Sequence, residues 1–295
     1  MPQMRREGRK AHNRLAPPWV ILSAGTAIVL LMLSIFPSSS WFRQLSGTGG
    51  KEEADSLKVL LLKNLILKGQ GGPALRQDYA LQLGLTGNYA EAFGVLDTLI
   101  RNQPDSLVPL RRLQAHLAQR ALSSRPGPGL TALAKANLNA SLEGFLAATA
   151  PAEALAWAAQ AAGVSGREDV AYALYLRLAG QDTARSGEWD LKAARVAAHR
   201  RDFQAATELY AAAASNIHAT QGKKAAILEG LKSLQAAERL DLALSLGERS
   251  LAGAHADPEI LAFLVRLARA ANRPKEAGKY AEMLVRPDAV AGLEP

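Results

Sequence analysis

The stretch GNYAEAFGVLDTLIRNQP, residues 87–104, has the features of one unit in a repeat. It opens with Gly87, places the small residue Ala92 five positions later, and ends at Pro104. Apolar residues between them recur at helical spacing, which predicts an amphipathic helix that follows a glycine turn and stops before a proline. The apolar segment 73–86 predicts a partner helix on the other side of that turn.

The same arrangement recurs four times further along the chain. The small residue is repeated at Ala171, Ala206, Ala243 and Ala277, at intervals of 35, 37 and 34 residues. A segment with helical apolar spacing precedes each copy, and residues 107–150 form a less regular pair. A period of about 34 residues built from two helices is typical of tetratricopeptide (TPR) repeats. The sequence therefore predicts an all-α fold, a right-handed α-solenoid of TPR-like helix pairs preceded by one N-terminal transmembrane helix.

Close packing within each pair predicts which residues form the core. The small residue lets the second helix cross the first at short distance, and a larger residue one helical turn later fills the space between them. The turns favour Gly or Asn, which are present as Gly87–Asn88, Gly166 and Asn272. The predicted packing residues are Ala92, Leu96, Ala171, Tyr175, Ala206, Tyr210, Ala243 and Ala277.

The beginning of the chain predicts a membrane anchor. Of the net charge of +8, half lies in the basic tail 1–18. Residues 19–36 are an uncharged apolar run that would reach about 27 Å as a helix, which is just enough for a hydrocarbon core. The positive-inside rule then predicts a cytoplasmic tail and a transmembrane helix at 19–36, followed on the periplasmic side by a linker at 37–55 and a repeat domain at 56–295. A cleaved signal peptide is the alternative, although the polar segment after residue 36 offers only a weak cleavage site.

The composition argues against several chemistries. There is no cysteine, which excludes disulfides, thiolate metal sites and cysteine nucleophiles. None of the five histidines belongs to a recognisable metal-ligand pattern, and no phosphate-binding loop or nucleophile elbow occurs. Basic residues are not interleaved with aromatic residues as in nucleic-acid-binding segments. We therefore expect no catalytic residue, no metal, no cofactor and no nucleic-acid partner, and a protein that is not an enzyme.

Basic residues recur on the predicted first helices of the last three pairs. The ninth residue of each is Arg195, Lys232 or Arg266. First helices line the concave face of a helical solenoid, so these positions predict a groove suited to an acidic partner segment. Solvated surface is the alternative interpretation. The predicted partner-binding residues are Arg195, His199, Lys232, Gln235, Arg266 and Arg269.

Two stretches carry a resemblance to a known family. EDVAYALYLRLAG (168–180) and GEWDLKAARVAAHRRDFQAATELYAAAAS (187–215) resemble the N-terminal TPR region of PelB-like exopolysaccharide export proteins, as do the basic tail and the apolar segment. The resemblance covers roughly residues 10–290, and it does not include that family's outer-membrane export pore. It implies an inner-membrane anchor at 19–36 and a periplasmic scaffold. The implied partners are a periplasmic polysaccharide-modifying enzyme and an outer-membrane export component.

Other functional hypotheses stay open at this point. One alternative is a membrane-anchored periplasmic chaperone or envelope assembly factor. Another is a TPR regulator that faces the cytoplasm, which would need a topology opposite to the one that the basic tail predicts. The sequence after Leu284 contains no polar capping helix, so homo-oligomerisation through an uncapped C-terminal end is a further expectation.

Overall fold

The computed structural model describes residues 51–103, 106–251 and 257–285, with side chains from residue 55 onward. The chain divides into two compact units, residues 1–58 and 59–295. The predicted basic tail and transmembrane helix, and the predicted linker up to residue 50, lie outside the described residues. No helix in the ranges given above is long and apolar enough to cross a membrane.

Secondary structure throughout the described residues is helical, which confirms the all-α prediction; the handedness of the stack stays a prediction. The α-helices are α1 (Lys51–Leu67), α2 (Pro73–Leu85), α3 (Tyr89–Asn102), α4 (Leu107–Ser123), α5 (Pro128–Ala147), α6 (Ala152–Val164), α7 (Glu168–Gln181), α8 (Ser186–His199), α9 (Phe203–Asn216), α10 (Thr220–Ala236), α11 (Leu240–Leu251), α12 (Pro258–Ala270) and α13 (Pro274–Val285). A short 3-10 helix, Thr183–Arg185, precedes α8. Helix α1 starts at Lys51, so the last five residues of the predicted linker 37–55 are helical.

One turn geometry joins the helices of all five regular pairs, α2–α3, α6–α7, α8–α9, α10–α11 and α12–α13. In each, the N–H of the residue two beyond the C-cap donates to a carbonyl in the last turn of the first helix, over 2.8 to 2.9 Å; the donor–acceptor pairs are Asn88–Leu83, Arg167–Ala162, Asp202–Ala197, Arg239–Leu234 and Arg273–Ala268. This Schellman arrangement satisfies carbonyls that the helix end would otherwise leave unpaired. The same turn therefore joins the two helices of each of the five pairs, so corresponding residues occupy equivalent positions in all of them.

The Schellman turn requires a left-handed backbone at the residue just beyond the C-cap. Gly87, Gly166 and Asn272 meet that requirement as predicted, with φ between 57° and 83°. Arg201 and Glu238 occupy the same position in the α8–α9 and α10–α11 turns, with φ of 62° and 59°. A side chain at such a φ is strained, so these two turns are less favourable than the glycine turns.

The predicted packing residues lie mostly in the core. The five alanines are buried, as are Leu96 and Tyr210, whereas Tyr175 is only half-buried and stacks on the ring of Trp189. In the α11 unit the residue four positions after the small Ala243 is Gly247, and a Cβ there would lie 2.2 Å from the Leu264 side chain of α12. At this position α11 therefore packs directly against the Leu264 side chain, which would have to shift to admit an alanine.

The less regular pair α4–α5 holds a buried polar network. The Gln114 amide donates to Asp97 of α3 over 2.6 Å and to Asn137 of α5 over 2.7 Å, and it accepts from Ser141 over 2.7 Å. Every hydrogen-bonding atom of this buried amide thus has a partner, which makes its burial tolerable and ties three helices into one register.

Replacing Glu238 by glycine tests the strain in the turn. A non-glycine residue in the left-handed conformation costs about 1–2 kcal/mol, which glycine avoids. Glycine loses more conformational entropy on folding, however, which offsets about 0.5–1 kcal/mol of that gain. We expect Glu238→Gly to raise the free energy of unfolding by about 0.5–1 kcal/mol in chemical denaturation. The neighbouring Ala237→Gly, at an ordinary φ of −86°, is the control and should lower it. If both variants lower the free energy of unfolding equally, the backbone at Glu238 is not strained.

Candidate partner-binding cleft

A cleft of about 900 Å³ opens between α8, α9 and α10. Basic, acidic and apolar side chains all line it, and the lining residues are Arg195, Ala198, His199, Arg201, Phe203, Tyr210, Glu229, Lys232, Ser233, Ala236, Ala237 and Glu238. Three basic and two acidic residues give it a formal charge of +1 when His199 is neutral. The cleft is thus a polar site with an apolar wall.

The structure brings three of the six predicted binding residues into this cleft: Arg195, His199 and Lys232. Gln235, Arg266 and Arg269 are exposed on α10 and α12 and are not among its lining residues. The guanidinium of Arg266 lies 5.3 Å from the ring centre of Phe263 on its own helix. Of the six predicted binding residues, the cleft therefore contains only the first three along the chain.

Arg195 is already paired inside the protein. Its Nε donates to Oε1 of Glu229 over 2.5 Å and its second guanidinium nitrogen donates to Oε2 over 2.7 Å, so the pair is bidentate and links α8 to α10. The hydrogen bonds to Glu229 raise the pKa of Arg195 above its ordinary value. Sequence reasoning treated Arg195 as an available cation and missed Glu229, which lies one repeat period further along the chain.

His199 is also paired, with a carboxylate of the neighbouring helix pair. Its Nδ1 lies 2.6 Å from Oε1 of Glu168 on α7, while 78% of its side chain is exposed. A contact this exposed contributes little to stability, about 0–1 kcal/mol. The imidazole marks the rim of the cleft next to α7.

Two cations of the cleft have no partner among the described residues. Lys232 and Arg201 make no ion pair, side-chain hydrogen bond or ring contact with any described residue, and both are exposed. Lys232 was predicted as a binding residue. Arg201 was missed, although its place six residues after Arg195 matches the place of Gly87 relative to Leu81. Arg201 is also the strained turn residue, and strained backbone is often found at functional sites.

The floor of the cleft is formed by Tyr210, which is 1% exposed. Burial raises the pKa of its hydroxyl, and the nearby carboxylate of Glu229 raises it further, so the ring stays neutral. The ring packs directly on the backbone of α10 at Gly230, where a Cβ would lie 2.8 Å from the ring carbon Cγ. The absence of a side chain at position 230 is what allows the tyrosine to fill this site.

A second depression of about 520 Å³ continues past the turns. It shares Arg201, Phe203 and Glu238 with the cleft. The guanidinium of Arg239 lies 5.7 Å from the ring centre of Phe203, between the two turns. The two depressions therefore adjoin each other at these three shared residues.

The cleft was also searched for side chains that could hold a metal ion. Across the three described ranges, no group of three or more His, Asp, Glu or Cys residues is arranged to hold an ion. The chemistry that the cleft itself offers is hydrogen bonding and charge pairing.

Comparison with known proteins gives a distant structural likeness only. No family model and no curated protein matches the chain. Similar solved structures include Pseudomonas aeruginosa pilF (18% identity, 74% of this chain, 95% of that chain, TM-score 0.32) and BtubC from P. vanneervenii (17%, 82%, 92%, 0.32). A third is the C-terminal part of a TPR repeat-containing protein from Cytophaga hutchinsonii (16%, 73%, 80%, 0.34). The chain's own repeat spacing and turns define the class, an all-helical protein of TPR-like helix pairs.

Adding a methyl group at Gly230 tests the packing of the cleft floor. We expect Gly230→Ala to lower the free energy of unfolding by about 1 kcal/mol, because overpacking against Tyr210 exceeds the gain in helix propensity. Gly94→Ala in α3 is the matched control: nothing lies within 4 Å of its added Cβ, so it should raise stability by up to about 1 kcal/mol. Thermal denaturation of both variants gives the comparison, and a stabilising Gly230→Ala would contradict the packing described.

Proposed function

We propose that this chain is a membrane-anchored periplasmic TPR scaffold that mediates protein–protein interactions in Pel-like exopolysaccharide biosynthesis and export. Residues 19–36 would hold it in the inner membrane, with the N-terminus in the cytoplasm and the helix pairs in the periplasm. Its partners would be a periplasmic polysaccharide-modifying enzyme and an outer-membrane export component. A second copy of the chain would extend the stack at the C-terminal end.

The observation that carries the proposal is the pair of unpartnered cations in the cleft. A partner loop with an acidic side chain would form charge-assisted hydrogen bonds with Lys232 and Arg201, while Phe203 offers apolar contact beside them. Arg195 and Glu229 neutralise each other and shape the wall rather than compete for that side chain. Hydrogen bonding and charge pairing are the interactions that such a partner loop would use in this cleft.

Photo-crosslinking in cells tests the proposal. A p-benzoylphenylalanine residue introduced at Lys232 lies in the cleft, and the same residue at Lys275, an exposed lysine on α13, is the matched control. We expect mass spectrometry to identify a carbohydrate-modifying enzyme or an outer-membrane export protein in the adduct from position 232, and to find neither at position 275.

Other adducts would point elsewhere. Many unrelated unfolded proteins, or a translocon subunit, would replace the proposal with an anchored chaperone or envelope assembly factor. A cytoplasmic protein in the adduct would overturn the topology. The same adducts from both positions would show that the cleft has no special role.

A further inference from the structure

Helix α1 exposes an apolar face, on which no contact with another described residue is found. Leu60 is 57% exposed, Leu61 37% and Leu67 75%, and we call these three residues the outer face of α1. Four of the eleven large exposed apolar side chains in the described residues lie on this helix, and no other described helix carries more than two. This concentration distinguishes α1 from the ordinary scatter of surface leucines.

The opposite face of α1 is already in use. Leu62 is buried in the core of the helix pairs, and Val59 and Ile66 pack against the same core. The ammonium of Lys63 lies 3.5 Å from Oε1 of Glu91 on α3. Among the described residues, the contacts of α1 with the helix pairs therefore lie on this inner face.

Basic residues flank the outer face. With about 100° per residue in a helix, Lys58 and Lys63 lie on opposite sides of it, and Lys68 follows its last leucine. At the surface of a membrane, exposed leucines can enter the acyl boundary while the ammonium groups of Lys58 and Lys68 reach the headgroups.

The sequence before α1 brings it close to a bilayer. Residues 37–50 separate the apolar segment 19–36 from α1, and fourteen residues span at most about 50 Å even when fully extended. Asn64 lies within the outer face, where its amide would be costly in a dry contact with a second copy but can stay hydrated among headgroups. These features favour lipid over protein as the occupant.

We propose that the outer face of α1 lies on the surface of the membrane in which residues 19–36 are anchored. The contact rests on the proposed anchoring. It would hold α1 in the plane of the bilayer and so limit the motion of the helix pairs that follow it.

Spin labels can test this contact, because the chain contains no cysteine and each engineered one is unique. Leu60→Cys and Leu67→Cys place a nitroxide on the outer face, and Leu176→Cys on α7, also an exposed leucine, is the matched control. The full chain is reconstituted into vesicles of phosphatidylcholine and phosphatidylglycerol, and collision with oxygen and with a water-soluble nickel complex is measured. We expect an oxygen-to-nickel accessibility ratio at positions 60 and 67 several-fold above that at position 176.

Each of the other outcomes would contradict the membrane contact of α1, the anchoring of residues 19–36, or both. Labels at 60 and 67 that are as open to nickel as the control, on a chain that floats with the vesicles, would overturn the contact and leave the anchoring intact. Dipolar broadening between labels at position 60 would show that a second copy of the chain, and not lipid, covers the outer face. A chain that does not float with the vesicles would overturn both the anchoring and the contact.

Discussion

The rest of the structure depends on one backbone hydrogen bond, which closes each regular helix pair across its turn. The bond runs from the residue two beyond the C-cap to a carbonyl in the last helical turn, and it recurs in five pairs over almost the same distance. Because it fixes where the first helix ends, it also fixes which residues of successive first helices lie at equivalent positions. Leu81, Gln160, Arg195, Lys232 and Arg266 each lie six residues before the left-handed turn residue. The turn thus determines which side chains lie at equivalent positions on the first helices.

In the cleft, side chains at equivalent positions of neighbouring helix pairs meet each other. One period separates Arg195 from Glu229, so the two side chains meet across α8 and α10 as a bidentate pair. Between them and the turns, Gly230 leaves room for the ring of Tyr210, which closes the floor. What stays available to a partner is Lys232, Arg201 and the apolar edge of Phe203. Under the proposed function, the cleft would select a partner by charge and by shape.

Sequence patterns could predict the fold because its determinants are local and periodic. The spacing of Ala171, Ala206, Ala243 and Ala277 follows from close helix crossing, and Gly87, Gly166 and Asn272 belong to residue types that favour the turn. Arg201 and Glu238 could not be found in that way, since neither residue type favours a left-handed backbone. The pairing of Arg195 with Glu229 depends on side-chain conformation across two helices, which no residue count reveals. The start of α1 at Lys51 was missed because a Gly-rich segment precedes it and suggested that the linker continued.

The most direct test of the account is the affinity of a purified full chain for a fluorescent glutamate-rich peptide, measured by anisotropy in detergent at low salt. A charge-assisted hydrogen bond contributes about 1.5–3 kcal/mol, so reversing the charge with Lys232→Glu should weaken binding by about tenfold or more, while Lys275→Glu should leave it nearly unchanged. That difference would support the cleft as the place where an acidic partner segment binds. Equal affinity of the wild type and Lys232→Glu, or equal weakening by both variants, would contradict it.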